Sequence, residues 1–165
     1  MIHDPEDPEH KLRYASAGVT DEIIARFRPC EQYVGQELEV LTAVAAYASR
    51  PEQLRDRDVI HFIDNVGAYS GLGKGYSPDM NSARLVSVFH TMNAALRSNV
   101  WFEYVPSGAT ISDLPSRNEF ELLNSSEYKA EVLSSWSGLH SQAGEYGALF
   151  ALYFVMRKKR NRKRE

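Results

Sequence analysis

Three carboxylates stand out by the company they keep. Asp64 directly follows the apolar run Val59-Ile60-His61-Phe62-Ile63. An acid at the C-terminal end of a buried strand sits where open α/β sheets bind their ligands. Asp113 follows a second strand-like segment, within Ile111-Ser112-Asp113-Leu114-Pro115-Ser116-Arg117. Glu39 lies among Leu38, Val40 and Leu41, with Glu37 as a competitor two residues earlier. Carboxylates offer the hard oxygens that divalent cations take. Each acid also has an ordinary structural explanation. Asp64 would serve as a cap for the next helix, Asp113 would complement a helix dipole, and Glu39 would sit on an exposed helix face.

The elements that must position these residues follow from periodicity. Lys11 to Val19 reads as a strand after the acidic, turn-like stretch His3 to Glu9. Val34, Leu38, Leu41 and Ala45 recur at helical spacing within Gln32 to Ala48, and Pro51 falls just past the end. The Val59 to Ile63 run reads as a strand buried on both faces, as in parallel sheets. Val66 to Leu72 predicts a short helix leading into the loop Gly73-Lys74-Gly75-Tyr76-Ser77-Pro78. Leu85, Phe89, Met92 and Leu96 then stripe a long helix that Asp79 or Asn81 would cap. Val100 to Val105 alternates as a strand, and Pro106-Ser107-Gly108 breaks it before a helix near Asp113. Strands alternating with helices predict an α/β sheet with helices on its faces.

In this order, strand, Glu-bearing helix, strand ending in Asp-Asn, long helix, strand and Asp-bearing helix, the chain resembles the ribonuclease H family over about Ile2 to Phe120. Phe62-Ile63-Asp64-Asn65, Lys74-Gly75-Tyr76-Ser77, Trp101 to Ser107 and Asp113 to Arg117 resemble the version found in retroelement reverse transcriptases. The resemblance implies a mixed sheet with helices on both faces. It implies that Glu39, Asp64 and Asp113 are three of four carboxylates holding two divalent cations, magnesium foremost and manganese as an alternative. Two such ions clamp the attacking and leaving oxygens of a scissile phosphate. The implied substrate is an RNA–DNA hybrid, with Asn65, Lys74, Ser116 and Arg117 as phosphate contacts.

The chain also departs from that family. Two strands should precede the one at Lys11, and the first lies mid-sheet and carries the leading catalytic aspartate. Met1-Ile2-His3 matches only the end of the second. The expected fold therefore lacks the first strand and most of the second, leaving the Val59 strand with an unpaired apolar edge. Asp4 and Asp7 lie in the turn and are no substitute. Thr110 stands where relatives carry Asn, and no histidine falls between Val105 and Asp113. Little nuclease activity is expected of this chain alone, and an upstream reverse transcriptase segment is a candidate partner. A catalytically inactive remnant or binding module is the rival reading.

Composition narrows the remaining choices. With 165 residues, 43% hydrophobic and 25% charged, one domain plus tails is expected. The expected division is a truncated domain over 1–123, a partly helical extension over 124–156 and a basic tail over 157–165. That tail holds seven of the 19 basic residues and one of the 22 acidic ones, so the rest of the chain carries −9. An acidic body binds a phosphate backbone poorly unless cations intervene. A single cysteine, Cys30, excludes an internal disulfide and a thiolate zinc cluster. The acidic Met1 to His10 stretch lacks a signal peptide's features, so an intracellular location, nuclear or cytoplasmic, is expected. Ala148 to Met156 is too short to cross a bilayer. Gly67 to Lys74 has the wrong spacing for a nucleotide-binding glycine loop. The five histidines show no ligand spacing, and His61 and His90 read as structural.

Overall fold

The computed structural model describes residues 1–9, 12–15, 18–26, 34–106, 108, 114, 119–121, 123, 129–130 and 153–158. The first strand, β1 (Ile2–His3), turns back into β2 (Leu12–Tyr14) as an antiparallel pair with Ile2 opposite Arg13. Asp4 organises the turn between them, its Oδ1 accepting the Glu6 N–H at 3.1 Å, and Asp7 forms an ion pair with Arg13. After α1 (Asp21–Arg26) come α2 (Val34–Ser49), the short α3 (Pro51–Leu54) and β3 (Arg57–Ile63). Two further helices follow, α4 (Val66–Lys74) and α5 (Met80–Leu96), then β4 (Asn99–Tyr104), β5 (Lys129–Ala130) and β6 (Tyr153–Lys158). The fold is mixed α/β.

The strands form one six-stranded sheet in the order β4-β3-β6-β1-β2-β5. In it β3 runs parallel to β4, with Val59 opposite Val100 and Ile63 opposite Tyr104. On its other side β3 pairs antiparallel with β6, from Phe62 opposite Tyr153 to Arg57 opposite Lys158. The same β6 runs parallel to β1. This corrects the expectation of an unpaired apolar edge at the Val59 strand. The apolar segment Tyr153-Phe154-Val155-Met156 can donate and accept on both sides, so the backbone groups of β3 and β1 are paired rather than left bare. It also changes the reading of the C-terminal region. Tyr153 to Met156, expected in a partly helical extension, are strand, and that strand continues through Arg157 and Lys158 of the expected basic tail.

Helix α2 is more buried than its sequence pattern implies. Val40, Ala43, Ala46 and Tyr47 enter the main core, while Leu38, Ala45 and Thr42 are also buried. The core is completed by Leu54, Val59, Ile63, Ala68, Leu72, Val86, Phe89 and Leu96, with Leu85 and Met92 packed at its border. Phe89 is its aromatic hub, edge-on to Tyr47 at 4.7 Å between centroids and 5.7 Å from Phe102. Such pairs add about 0.5–1.5 kcal/mol beyond area burial. A smaller cluster of Met1, Tyr14 and Leu123, with Phe120 stacked on Tyr14, gathers near the β1–β2 hairpin.

The two faces of β3 differ. Val59, His61 and Ile63 point into the core under α2, α4 and α5, whereas Ile60 is 41% exposed and its neighbour Trp101 is 67% exposed. The expectation of a strand buried on both faces therefore holds on one face only, and at β3–β4 the described helices lie on that face. At the start of β3, Arg57 reaches across to the β1–β2 turn, bonding Glu6 Oε2 at 2.8 Å and Asp4 Oδ2 at 3.4 Å. No helix among the described residues is long and apolar enough to cross a membrane.

His61 is the polar group that this core holds neutral. It is fully buried, its ring 5.5 Å from Phe102 and 6.1 Å from Tyr47. Burial, and secondarily the nearby Met1 amino group, hold its pKa down at about 3. The unfolded chain takes up the proton near pH 6.5 and the folded one does not, so the contribution is intact above 6.5 and declines as pH falls toward 3. Acid titration of unfolding free energy should show up to about 1.4 kcal/mol lost per pH unit from this group in that window. His61→Phe should flatten that component; an unchanged acid limb would show that His61 does not contribute to it.

Candidate functional site

Asp64 lies at the C-terminal end of β3, half-buried, at the point where the chain turns into α4. The capping role open to it in sequence belongs to the next residue. Asn65 is the N-cap, extended at φ −94° and ψ 116°, and its side chain accepts the Ala68 N–H at 3.0 Å. One orphan donor of the first turn is thereby satisfied. Asn65, expected as a phosphate contact, has its side-chain oxygen engaged in the cap.

Helix α2 runs antiparallel to β3 across the core. Tyr47 near its C-terminal end stacks on His61, whereas a Cβ at Gly35 near its start would lie 3.9 Å from Asn65 Nδ2. Glu39 shares a helix face with Gly35, four residues on and about 6 Å along the axis. It is therefore on the part of α2 that spans the carboxyl end of β3. It is 4% exposed, which overturns the exposed-face explanation of this glutamate. Burial holds the Met1 amino group down at about 5, and the Glu39 carboxylate acts in the opposite direction. Glu39 therefore faces the sheet.

Glu37 faces elsewhere. Its carboxyl is fully buried, and burial pushes its pKa up; the Asn81 side chain opposes that shift and the Asp79 carboxylate adds to it. Both neighbours belong to the start of α5, which Asp79 caps by accepting the Ser82 N–H at 2.7 Å. Gln36 tightens the same junction, its Nε2 donating to Ser82 Oγ at 3.1 Å and to Ser77 Oγ at 3.3 Å. Gly67 lies beneath it, where a Cβ would push the Gln36 carboxamide aside. Glu37 and Glu39 thus meet different surroundings, the start of α5 and the Met1 amino group.

Asp113, Ser116 and Arg117 lie outside the described residues. Lys74 is exposed at the opposite end of α4, about 13 Å along a nine-residue helix from Asn65. The helix extends two residues past its expected end because Gly75, at φ 76°, supplies the left-handed C-terminal residue. Among the described residues no three His, Cys, Asp or Glu side chains are grouped to hold a metal ion. Glu39 and Asp64 supply hard oxygens of the kind magnesium takes.

Sequence reasoning missed a cleft of about 520 Å³ on the far side of α4. It is lined by Tyr69, Leu72, Lys74 and His90 from the helices and by Val100 and Phe102 from β4. His90 Nε2 is 2.9 Å from the Leu72 carbonyl oxygen, which fixes one wall. The only sequence signal was the density of aromatic residues in Trp101-Phe102-Glu103-Tyr104.

The Asn65 cap sets the entry angle of α4 beside Asp64. Asn65→Ala should cost about 1 kcal/mol in chemical denaturation, while Asn65→Asp, which keeps the acceptor, should cost only a few tenths. Equal losses in the two variants would show that the cap does not govern the entry.

No protein-family model, no curated protein and no solved structure matches the chain.

Proposed function

We propose that this chain is a ribonuclease H-like domain of the retroelement reverse transcriptase type, whose parent activity cuts the RNA strand of RNA–DNA hybrids. The observation that carries the reading is the pairing of positions: Asp64 ends β3 beyond the sheet, and Glu39 is buried on the part of α2 that spans the same end. A sheet in which β1 and β3 flank a central strand, with β2 and β4 outside them, also agrees with the strand neighbours that the family order requires. Asp113 would be the third carboxylate. Two magnesium ions on such a site would offset charge on the attacking and leaving oxygens.

One observation favours impaired activity in this chain. The strand between β3 and β1 is β6, Tyr-Phe-Val-Met-Arg-Lys, which has no carboxylate and runs antiparallel to β3. The leading aspartate expected mid-sheet therefore has no counterpart on the strand occupying that position. An inactive remnant that contacts nucleic acid or an upstream reverse transcriptase segment is the second reading. An intracellular setting, nuclear or cytoplasmic, accords with either.

Magnesium titration of the purified chain by calorimetry or NMR tests the shared claim. Weak binding should be present and be lost in Asp64→Asn; binding that survives this change would remove the site. A hybrid-cleavage assay in magnesium then separates the readings. Little or no cleavage is expected, and robust cleavage abolished by Asp64→Asn would overturn the impairment while keeping the family assignment.

A further inference from the structure

The outer edge of β4 has a backbone pattern suited to pairing with its own copy. The Val105 N–H donates to the Ile63 carbonyl oxygen at 3.0 Å, and Ile63 is the register partner of Tyr104. In a parallel ladder this parity turns the amide groups of residues 99, 101, 103 and 105 toward β3. Those of Val100, Phe102 and Tyr104 point outward, and among the described residues no strand pairs with that side. Nothing in Asn99–Tyr104 protects the edge: it has no proline and no lysine, and its one charge is Glu103. We infer that two copies of this chain associate through antiparallel β4–β4 pairing about a two-fold axis at Phe102.

The register follows from the parity. With Phe102 opposite its own symmetry mate, Val100 stands opposite Tyr104 of the other copy. All three outward-facing residues then lie in hydrogen-bonded pairs, giving about six backbone hydrogen bonds. Such a two-fold contact is isologous and closes after two copies. Charge is compatible with it. Glu103 stands opposite Trp101 of the other copy, and the Trp101 indole Nε1 is already 3.1 Å from Glu103 Oε2 within one chain. No like charges oppose each other, since Glu103 is the only charged side chain of β4.

The cleft gives the incoming strand a place for its side chains. Val100 and Phe102 face the helix side of the sheet, and the cleft of about 520 Å³ lies on that side between β4 and the wall formed by Tyr69, Leu72 and His90. Strand addition of this kind takes affinity from main-chain hydrogen bonds and specificity from pockets for alternate side chains. Trp101, 67% exposed, and Ile60, 41% exposed, give the opposite face an apolar cross-strand surface as well.

Sedimentation of the full chain over a roughly hundredfold concentration range should show a reversible monomer–dimer equilibrium. Tyr104→Pro removes an outward amide without touching the bonds to β3 and should weaken association at least about tenfold. A register test guards against a variant that fails to fold. On a Cys30→Ser background, Trp101→Cys and Glu103→Cys chains mixed under mild oxidation should cross-link to each other, because those positions are about 4.5 Å apart in Cα in the proposed pair. A chain that stays monomeric throughout, or Trp101→Cys that cross-links with itself as readily as with Glu103→Cys, would overturn the inference.

Discussion

Pairing of β3 along both edges is the constraint on which the other elements depend. Its buried face, Val59, His61 and Ile63, forms the floor of the core, and its carboxyl end places Asp64. A strand so apolar cannot leave its backbone groups bare at mid-sheet, since an unpaired edge of this kind invites aggregation. One side is met by β4, joined through α4 and α5 in a parallel crossover. The other is met by β6, which returns from about ninety residues further along the chain. Closing so long a loop costs only modestly more than closing a short one, because the entropy grows with the logarithm of length.

Acids in this protein owe their character to which side of α2 they leave. Helix α2 is covered on most of its circumference, so Glu37 and Glu39 are both withdrawn from water despite being two residues apart. Two residues on a helix differ by about 200°, so their side chains meet different partners. Glu37 meets the capped start of α5, where Asp79 and Asn81 act on its ionisation. Glu39 meets the sheet and the Met1 amino group. Only the second lies toward the sheet.

Charge is also distributed by the sheet rather than by the order of the sequence. Because β6 is antiparallel to β3, Tyr153 stands beside the Asp64 end and Lys158 beside Arg57 at the opposite end. The first two residues of the basic run are therefore carried away from the acidic pair. Arg57 meanwhile joins the start of β3 to Asp4 and Glu6 of the β1–β2 turn. The start of β3 is thus an end of mixed charge, where Arg57 is offset by Asp4 and Glu6 and Arg157 stands opposite Asp58.

What the sequence by itself determined is local. The helix around Leu85 to Leu96, the strand ending at Ile63 and the cap at Asp79, one of two candidates, follow from periodicity and from side chains acting on backbone within a turn. Asp64 was legible as the acid that closes an apolar strand, because that signal is itself local. Three features were decided only by the tertiary structure. Asn65 rather than Asp64 took the cap, because cap geometry turns on one residue's backbone angles. Glu39 was buried facing the sheet, because burial of a helix depends on how many neighbours surround it. Tyr153 to Lys158 became the central strand, because strand pairing rewards hydrogen bonds to distant segments and leaves no mark of its partner in a short apolar run.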